Sequence, residues 1–252
     1  EWSYVQSTKT LTLTGSTWDN ITATDIIDFT IVLVGENKIT GGYTHDDGNI
    51  YGIYVPDGTL TIKSDGTSAG SLNVTVSGSD SDHGYGIYAK KSFYSESIKI
   101  ESGKVEVNVT GYAAYGIYAD SGILNISGGE VNVTVNGDSQ AFGIYANDSS
   151  AHDEFTDIIS ITNSKVITKA SAPNATGIYS KGNGRFFIGT EGIVTAEANG
   201  TNSAKGIFAE DGNIVNNEGT VNATATSSGG AAYGLHATSS PGSSDFGIIS
   251  DE

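Results

Sequence analysis

The sequence predicts an all-β chain, specifically a right-handed parallel β-helix with about three short strands in each coil of roughly thirty residues. Three observations predict it. A five-residue phrase, Tyr-Gly-Ile-Tyr-Ala in its fullest form, recurs seven times along the 252 residues. Two further runs with strict period-two alternation lie between successive phrases, the mark of strands with one buried face. Thirty-four glycines and only three prolines, amid abundant Thr, Ser, Asn, Val and Ile, describe a chain dense in strands and turns.

The phrase begins at Tyr51, Tyr85, Tyr115, Phe142, Thr176, Lys205 and Tyr233, at intervals of 34, 30, 27, 34, 29 and 28 residues. An echo, FGIIS, begins at Phe246. The second run reads TLTIK (59–63), SIKIE (97–101), ILNIS (123–127), IISIT (158–162) and RFFIG (185–189). The third reads LNVTV (72–76), VEVNV (105–109), VNVTV (131–135), VITKA (166–170), VTAEA (194–198) and VNATA (221–225). Clusters such as Ser127-Gly128-Gly129 supply the turns between them. A unit of this kind buries its apolar face only by stacking on its neighbours. The right-handed crossover preference sets the winding, and eight or so coils at about 4.8 Å each give a rod about 35–40 Å long.

Interior columns follow from the alternation. Leu60, Ile98, Leu124, Ile159, Phe186 and Ile214 form one; Ile62, Ile100, Ile126, Ile161 and Ile188 form the next, which Asn216 interrupts. Ile87, Ile117, Ile144 and Ile178 are expected in a third. The third run shrinks from Leu72/Val74/Val76 to Val221/Ala223/Ala225, so the cross-section is expected to narrow toward the C-terminus. Residues 1–49 repeat less cleanly and are expected to form opening coils or a cap, with Trp2 and Trp18 over the end of the core. Residues 50–240 form the repeat region. Residues 241–252 read as an unfinished coil, and Phe246, Ile248 and Ile249 are expected at an end-to-end contact with a second copy.

Charge and composition exclude several classes. Twelve basic against 29 acidic residues give a net charge of −17, which argues against nucleic acid or an anionic membrane as partner. Arg185 is the single arginine, so guanidinium clamps on phosphate or carboxylate are scarce. No cysteine is present for a disulfide or a thiolate site, and no apolar run is long enough for a membrane-spanning helix. The chain opens at Glu1 without a charged and then apolar leader, so any signal peptide is expected to have been removed already or never to have belonged to this stretch.

The phrase itself offers the first candidate site. If its Ile faces inward, alternation turns Tyr54, Tyr88, Tyr118, Tyr145, Tyr179, Phe208 and His236 outward as an aromatic ladder, and puts the first-position residue on the Ile face. The opposite reading buries those rings and exposes seven Ile or Leu side chains, the costlier choice. An outward ladder suits stacking on sugar rings; it equally suits ring-on-ring stabilisation of a parallel stack. Nine Asn-X-Ser/Thr sequons occur, and those at Asn73, Asn108, Asn125, Asn132 and Asn222 follow automatically from strands reading out, in, out. Asn147, Asn174 and Asn199 lie in loops and are the better glycosylation candidates, in a host that glycosylates. Acidic loops at 45–48, 79–83 and 210–212 could offer oxygen ligands to calcium, but none has EF-hand or calcium β-roll spacing, and solvated turns are the expected reading. No catalytic residue is expected: a polysaccharide-cleaving enzyme needs clustered aspartates with a cationic or histidine partner, whereas Arg185 stands apart and the four histidines fall in different coils.

The YGIYA and GGEVNVTV units resemble the glycine-rich repeats of large secreted or surface-anchored adhesin-like bacterial and archaeal proteins, over about residues 50–240. That resemblance implies a parallel β-helix, an extracellular or cell-surface location and an adhesive or structural role, with no catalytic residue carried over. The leading expectation is a self-associating structural or adhesive protein of a surface layer, sheath or fibre. A carbohydrate-binding module using the ladder is the alternative, and a polysaccharide lyase or hydrolase a distant third.

Overall fold

Alternation along the second and third runs dictates two faces per strand, and the structure, a computed structural model, pairs those runs across units in parallel. It describes residues 1–66, 70–79, 81–91, 95–148, 156–238 and 248–251, the last three of these by backbone only. Every regular element among the described residues is a strand. The second runs form a ten-stranded sheet that starts with Trp2–Val5 and Thr10–Thr14, continues through Asp28–Val34 and Thr59–Ser64, and ends at Asn213–Asn217 and Ile248–Asp251. All its neighbours are parallel except the first pair, where Trp2 lies opposite Leu13.

The third runs and the phrases share a fifteen-stranded sheet. They meet there because in two units one strand carries both, Lys104–Asp120 and Gly129–Asn147, where separate strands are expected. These strands end in the phrases at Tyr115 and Phe142, the second of which follows the shortest interval, 27 residues. Where the interval is 34, loops such as the one between Ser77 and His83 separate the two rows.

One continuous apolar core lies between the sheets. The expected columns are present: Leu60, Ile98, Leu124, Ile159 and Phe186 are fully buried and paired in register, as are Ile62, Ile100, Ile126, Ile161 and Ile188. Ile87, Ile117, Ile144 and Ile178 likewise form one buried, in-register column. Burying each such side chain contributes about 1.5–3 kcal/mol, so the aliphatic columns dominate the favourable energy. Asn216 lies part-buried and donates from Nδ2 to the carbonyl of Gly219 at 3.1 Å, closing a local turn.

Residues 1–49 continue the same rows. Asp28–Val34 pairs with Thr59–Ser64, and Glu36–Ile39 pairs with Ser71–Ser77, both parallel. Asn37 occupies the inward position opposite Leu72 and is fully buried. Its amide is satisfied: Oδ1 accepts from Ser16, and Nδ2 lies within hydrogen-bond reach of the carbonyls of Val34, Gly35 and Ser71. Trp18 packs against the core, and its ring meets that of Trp2 edge-on at 5.6 Å. Trp2 itself is 58% exposed.

The FGIIS echo does not continue the phrase row as the sequence suggests. Ile248–Asp251 pairs parallel with Asn213–Asn217, so it extends the second-run sheet of its own chain. Ile248 is 52% exposed there, opposite the buried Ile214. Phe246 lies outside the described residues, and so does the side chain of Ile249.

Candidate functional site: an aromatic double ladder

The phrase departs from strict alternation, and the glycine is the reason. A Cβ at Gly52 would lie 2.7 Å from Val74 Cγ1 and 2.7 Å from the carbonyl oxygen of Gly86. At Gly116 it would lie 2.1 Å from Val133 Cγ1 and 2.4 Å from the carbonyl oxygen of Gly143. The second position therefore faces the third-run side chains across the core, with room for hydrogen only. The Ile beside it also faces inward, so the strand bends at the glycine and the pairing register steps from the first position to the third.

The bend turns both aromatic positions away from the aliphatic core, which corrects the expectation that the first-position residue shares the Ile face. The ladder is not a freely exposed one, because Tyr51, Tyr85, Tyr179 and Phe208 are buried by their ring neighbours. Tyr51 and Tyr54 lie 4.5 Å apart between ring centroids, and Tyr115 and Tyr118 5.4 Å. In the first-position column, Tyr51, Tyr85, Tyr115 and Phe142 follow at 4.8, 4.8 and 5.1 Å, with planes within 13° of parallel. In the fourth-position column, Tyr54, Tyr88, Tyr118, Tyr145, Tyr179, Phe208 and His236 follow at 4.7–5.5 Å, the middle pairs edge-on or tilted. Each such pair contributes about 0.5–1.5 kcal/mol beyond area burial. Along the first column, ring faces cover one another, and Tyr51 and Tyr85 are left only 4% and 7% exposed.

Several ladder hydroxyls have partners. Tyr88 donates to Asp120 at 2.8 Å, and Asp120 also pairs with Lys90 at 3.4 Å. Tyr179 donates to Glu210, whose other oxygen is 3.8 Å from Lys181. Tyr51 OH lies 3.3 Å from Asn49 Nδ2. Burial pushes the Tyr51 phenol up to about 12, and burial, first among the causes, also raises Tyr85, Tyr88, Tyr118 and Tyr145.

The first-position column changes at two units. Thr176 and Lys205 stand where rings stand elsewhere, and a notch of about 270 Å³ opens there. Gln140, Phe142, Asn174, Tyr179, Ser203 and Glu210 help to line it. Lys205 Nζ sits 3.4 Å above the Phe208 ring centroid, and burial lowers its pKa. Strand alternation gave no sign of this notch; the two polar residues at an aromatic position were its signal.

The other expected sites fall as follows. Asn147, Asn174 and Asn199 do not lie in loops as expected but at or near strand ends, in Gly129–Asn147, Asn174–Lys181 and Ile193–Gly200, because the pairing between units runs further than alternation indicates. Asn174 and Asn199 are exposed, and Asn147 is half-buried and hydrogen-bonds Tyr118. In the acidic loops the carboxylates close their own turns: Asp47 accepts from the Asn49 backbone at 2.9 Å, and Asp82 from Ser79 Oγ at 2.6 Å. Among the described residues, no three His, Asp or Glu side chains are grouped to hold a metal ion. The sequence did not indicate a cleft of about 770 Å³ along the outer face of the ten-stranded sheet, lined by Asp28, Lys91, Glu96, Lys99, Asn125 and Asp157 among others. Its charges pair off: Lys91 with Asp28 at 3.1 Å, Lys99 with Glu96, and Arg185 with Asp157 at 2.7 Å. Comparison with protein-family models, with curated proteins and with solved structures finds no match to this chain.

Proposed function

We propose that the chain is a right-handed parallel β-helix that serves at the cell surface or outside the cell as a structural or adhesive element, associating end to end. One observation carries this reading. Thr220–Ser227 and Ala231–Ala237 each have a strand neighbour on one side only among the described residues. Val221, Ala223, Ala225 and Leu235, although they face the core, remain partly exposed there. An edge with free backbone groups and an uncovered apolar row is a template for another chain. The resemblance to adhesin-like repeats and the acidic surface support the extracellular setting. Light scattering across a concentration range, with electron microscopy of the same material, tests the association. Concentration-dependent growth that Val221→Asp with Ala225→Asp abolishes is the expected result. A strictly monomeric protein at high concentration, with no filaments, overturns it.

A second reading, binding of carbohydrate, is favoured at one place. Along most of the ladder the rings cover each other's faces, but the notch at Thr176 and Lys205 interrupts that column and surrounds the gap with amides and hydroxyls.

A further inference from the structure

We propose that the notch beside Lys205 binds a carboxylate-bearing sugar residue of an acidic polysaccharide, with the carboxylate on the Lys205 ammonium. The inference rests on the carbohydrate reading above and names the class of sugar.

Three features carry it. The first is the missing rings. Phe142 stacks on Tyr115 on one side, but its register partner on the other side is Thr176, and a tyrosine there would continue the column into the space the notch occupies. The second is the cation. Lys205 makes no hydrogen bond or ion pair among the described residues, and its ring contact with Phe208 leaves its three N–H donors without an acceptor. The other cation near it, Lys181, already pairs with Glu210, and Glu210 also accepts from Tyr179. A half-buried ammonium in need of an oxygen acceptor recognises a carboxylate, through a charge-assisted bond. The third is the remaining lining. Gln140, Asn174, Thr176 and Ser203 offer amide and hydroxyl groups that match the hydroxyls of a pyranose, and Phe142 and Tyr179 offer apolar surface for its C–H bonds.

The net charge of −17 does not forbid this partner. At physiological salt, charges farther than about 8 Å are largely screened, so the groups beside the notch decide. The acidic group in the lining, Glu210, has its carboxylate already engaged by the Tyr179 hydroxyl and by Lys181 at 3.8 Å, which leaves the Lys205 ammonium to an incoming acid.

The test uses the full chain, trigalacturonate, and the same trisaccharide with its carboxylates reduced to alcohols. Calorimetry gives affinity, and NMR shift mapping gives location. The expected result is binding of trigalacturonate with shifts at Thr176, Tyr179 and Lys205, and binding of the reduced sugar at least about tenfold weaker. Lys205→Gln removes that difference, Thr176→Tyr fills the notch and abolishes binding of both sugars, and Lys169→Gln, on the exposed face of the third run, changes nothing. Equal affinity for the two sugars, or a Lys205→Gln variant that still prefers the acid, overturns the carboxylate assignment while leaving a carbohydrate site standing. No binding of either sugar at millimolar concentration overturns both.

Discussion

The middle of the molecule and its C-terminal units carry the same repeat, yet they bury it differently. In Lys104–Asp120 and Gly129–Asn147 the third run offers Val105, Val107 and Val109, then Val131, Val133 and Val135, all buried, and both ladder positions hold rings. In Ile193–Gly200 and Thr220–Ser227 the corresponding residues are Val194, Ala196 and Ala198, then Val221, Ala223 and Ala225. The first three are buried; the last three, identical in type, are only partly so. Burial in a stacked fold therefore belongs to the neighbouring unit as much as to the residue. Side-chain volume changes what an interior position holds, and the next unit decides whether it is interior at all.

The sharpest way to break this comparison is a buried charge. Ile126 lies between Ile100 and Ile161 without exposure, so Ile126→Asp is expected to cost about 3 kcal/mol or more and to unfold a marginal chain. Val221→Asp, at the half-open row, should cost far less, and Asn132→Asp, on the outward face, well under about 1 kcal/mol. Equal melting temperatures for the Ile126 and Asn132 variants would contradict the assigned faces.

Next in size are the glycines at the bend. Gly116→Ala would bring a methyl within 2.1 Å of Val133 Cγ1 and 2.4 Å of a backbone oxygen, which cannot both yield. A loss of about 1–3 kcal/mol or more is expected by urea unfolding. At Gly206 the nearest side-chain atom is Ala223 Cβ at 3.1 Å, although the Gly234 oxygen at 2.5 Å is still close. Gly206→Ala should cost less, because Ala223 lies in the half-open row and can shift. A larger loss at Gly206 than at Gly116 would reverse the proposed contrast.

Alkaline titration separates the two regions by chemistry. The ladder tyrosines of the first four phrases have pKa values raised above the ordinary 10, Tyr51 to about 12. Ionisation thus favours the unfolded chain. Their contribution is fully present below pH 10 and is lost as pH climbs toward and through the folded values. The melting temperature should fall between pH 10 and 12, with tyrosinate absorbance rising alongside unfolding, and Tyr51→Phe with Tyr85→Phe should soften the fall. Tyrosinate forming near pH 10 in a chain that stays folded would show the ladder to be more open than described.

The smallest effect is a gain. Thr168 is fully buried in the third-run column, in register with Val133 and Ala196, and its hydroxyl has no hydrogen-bond partner among the described residues. Thr168→Val keeps the shape and removes the orphaned group, so a gain of about 1 kcal/mol is expected by thermal unfolding. A loss would mean the hydroxyl is paired.

Period-two alternation is a local property, and it determined what depends on one strand alone: the all-β class, the second- and third-run columns, the outward sequons at Asn73, Asn108, Asn125, Asn132 and Asn222, and the apolar Ile of each phrase. Alternation could not orient the first ring of the phrase, because the glycine breaks it, and that glycine is imposed from across the core by residues such as Val133. It could not place Ile248–Asp251, since an apolar run specifies a buried face without specifying which row it joins. The sequence showed Thr176 and Lys205 as interruptions of a pattern. Only the tertiary structure made them a notch with a cation unpaired among the described residues, because whether Lys205 finds a carboxylate depends on where neighbouring units bring Glu210, Lys181 and Phe208 together, and those contacts cross some thirty residues of chain.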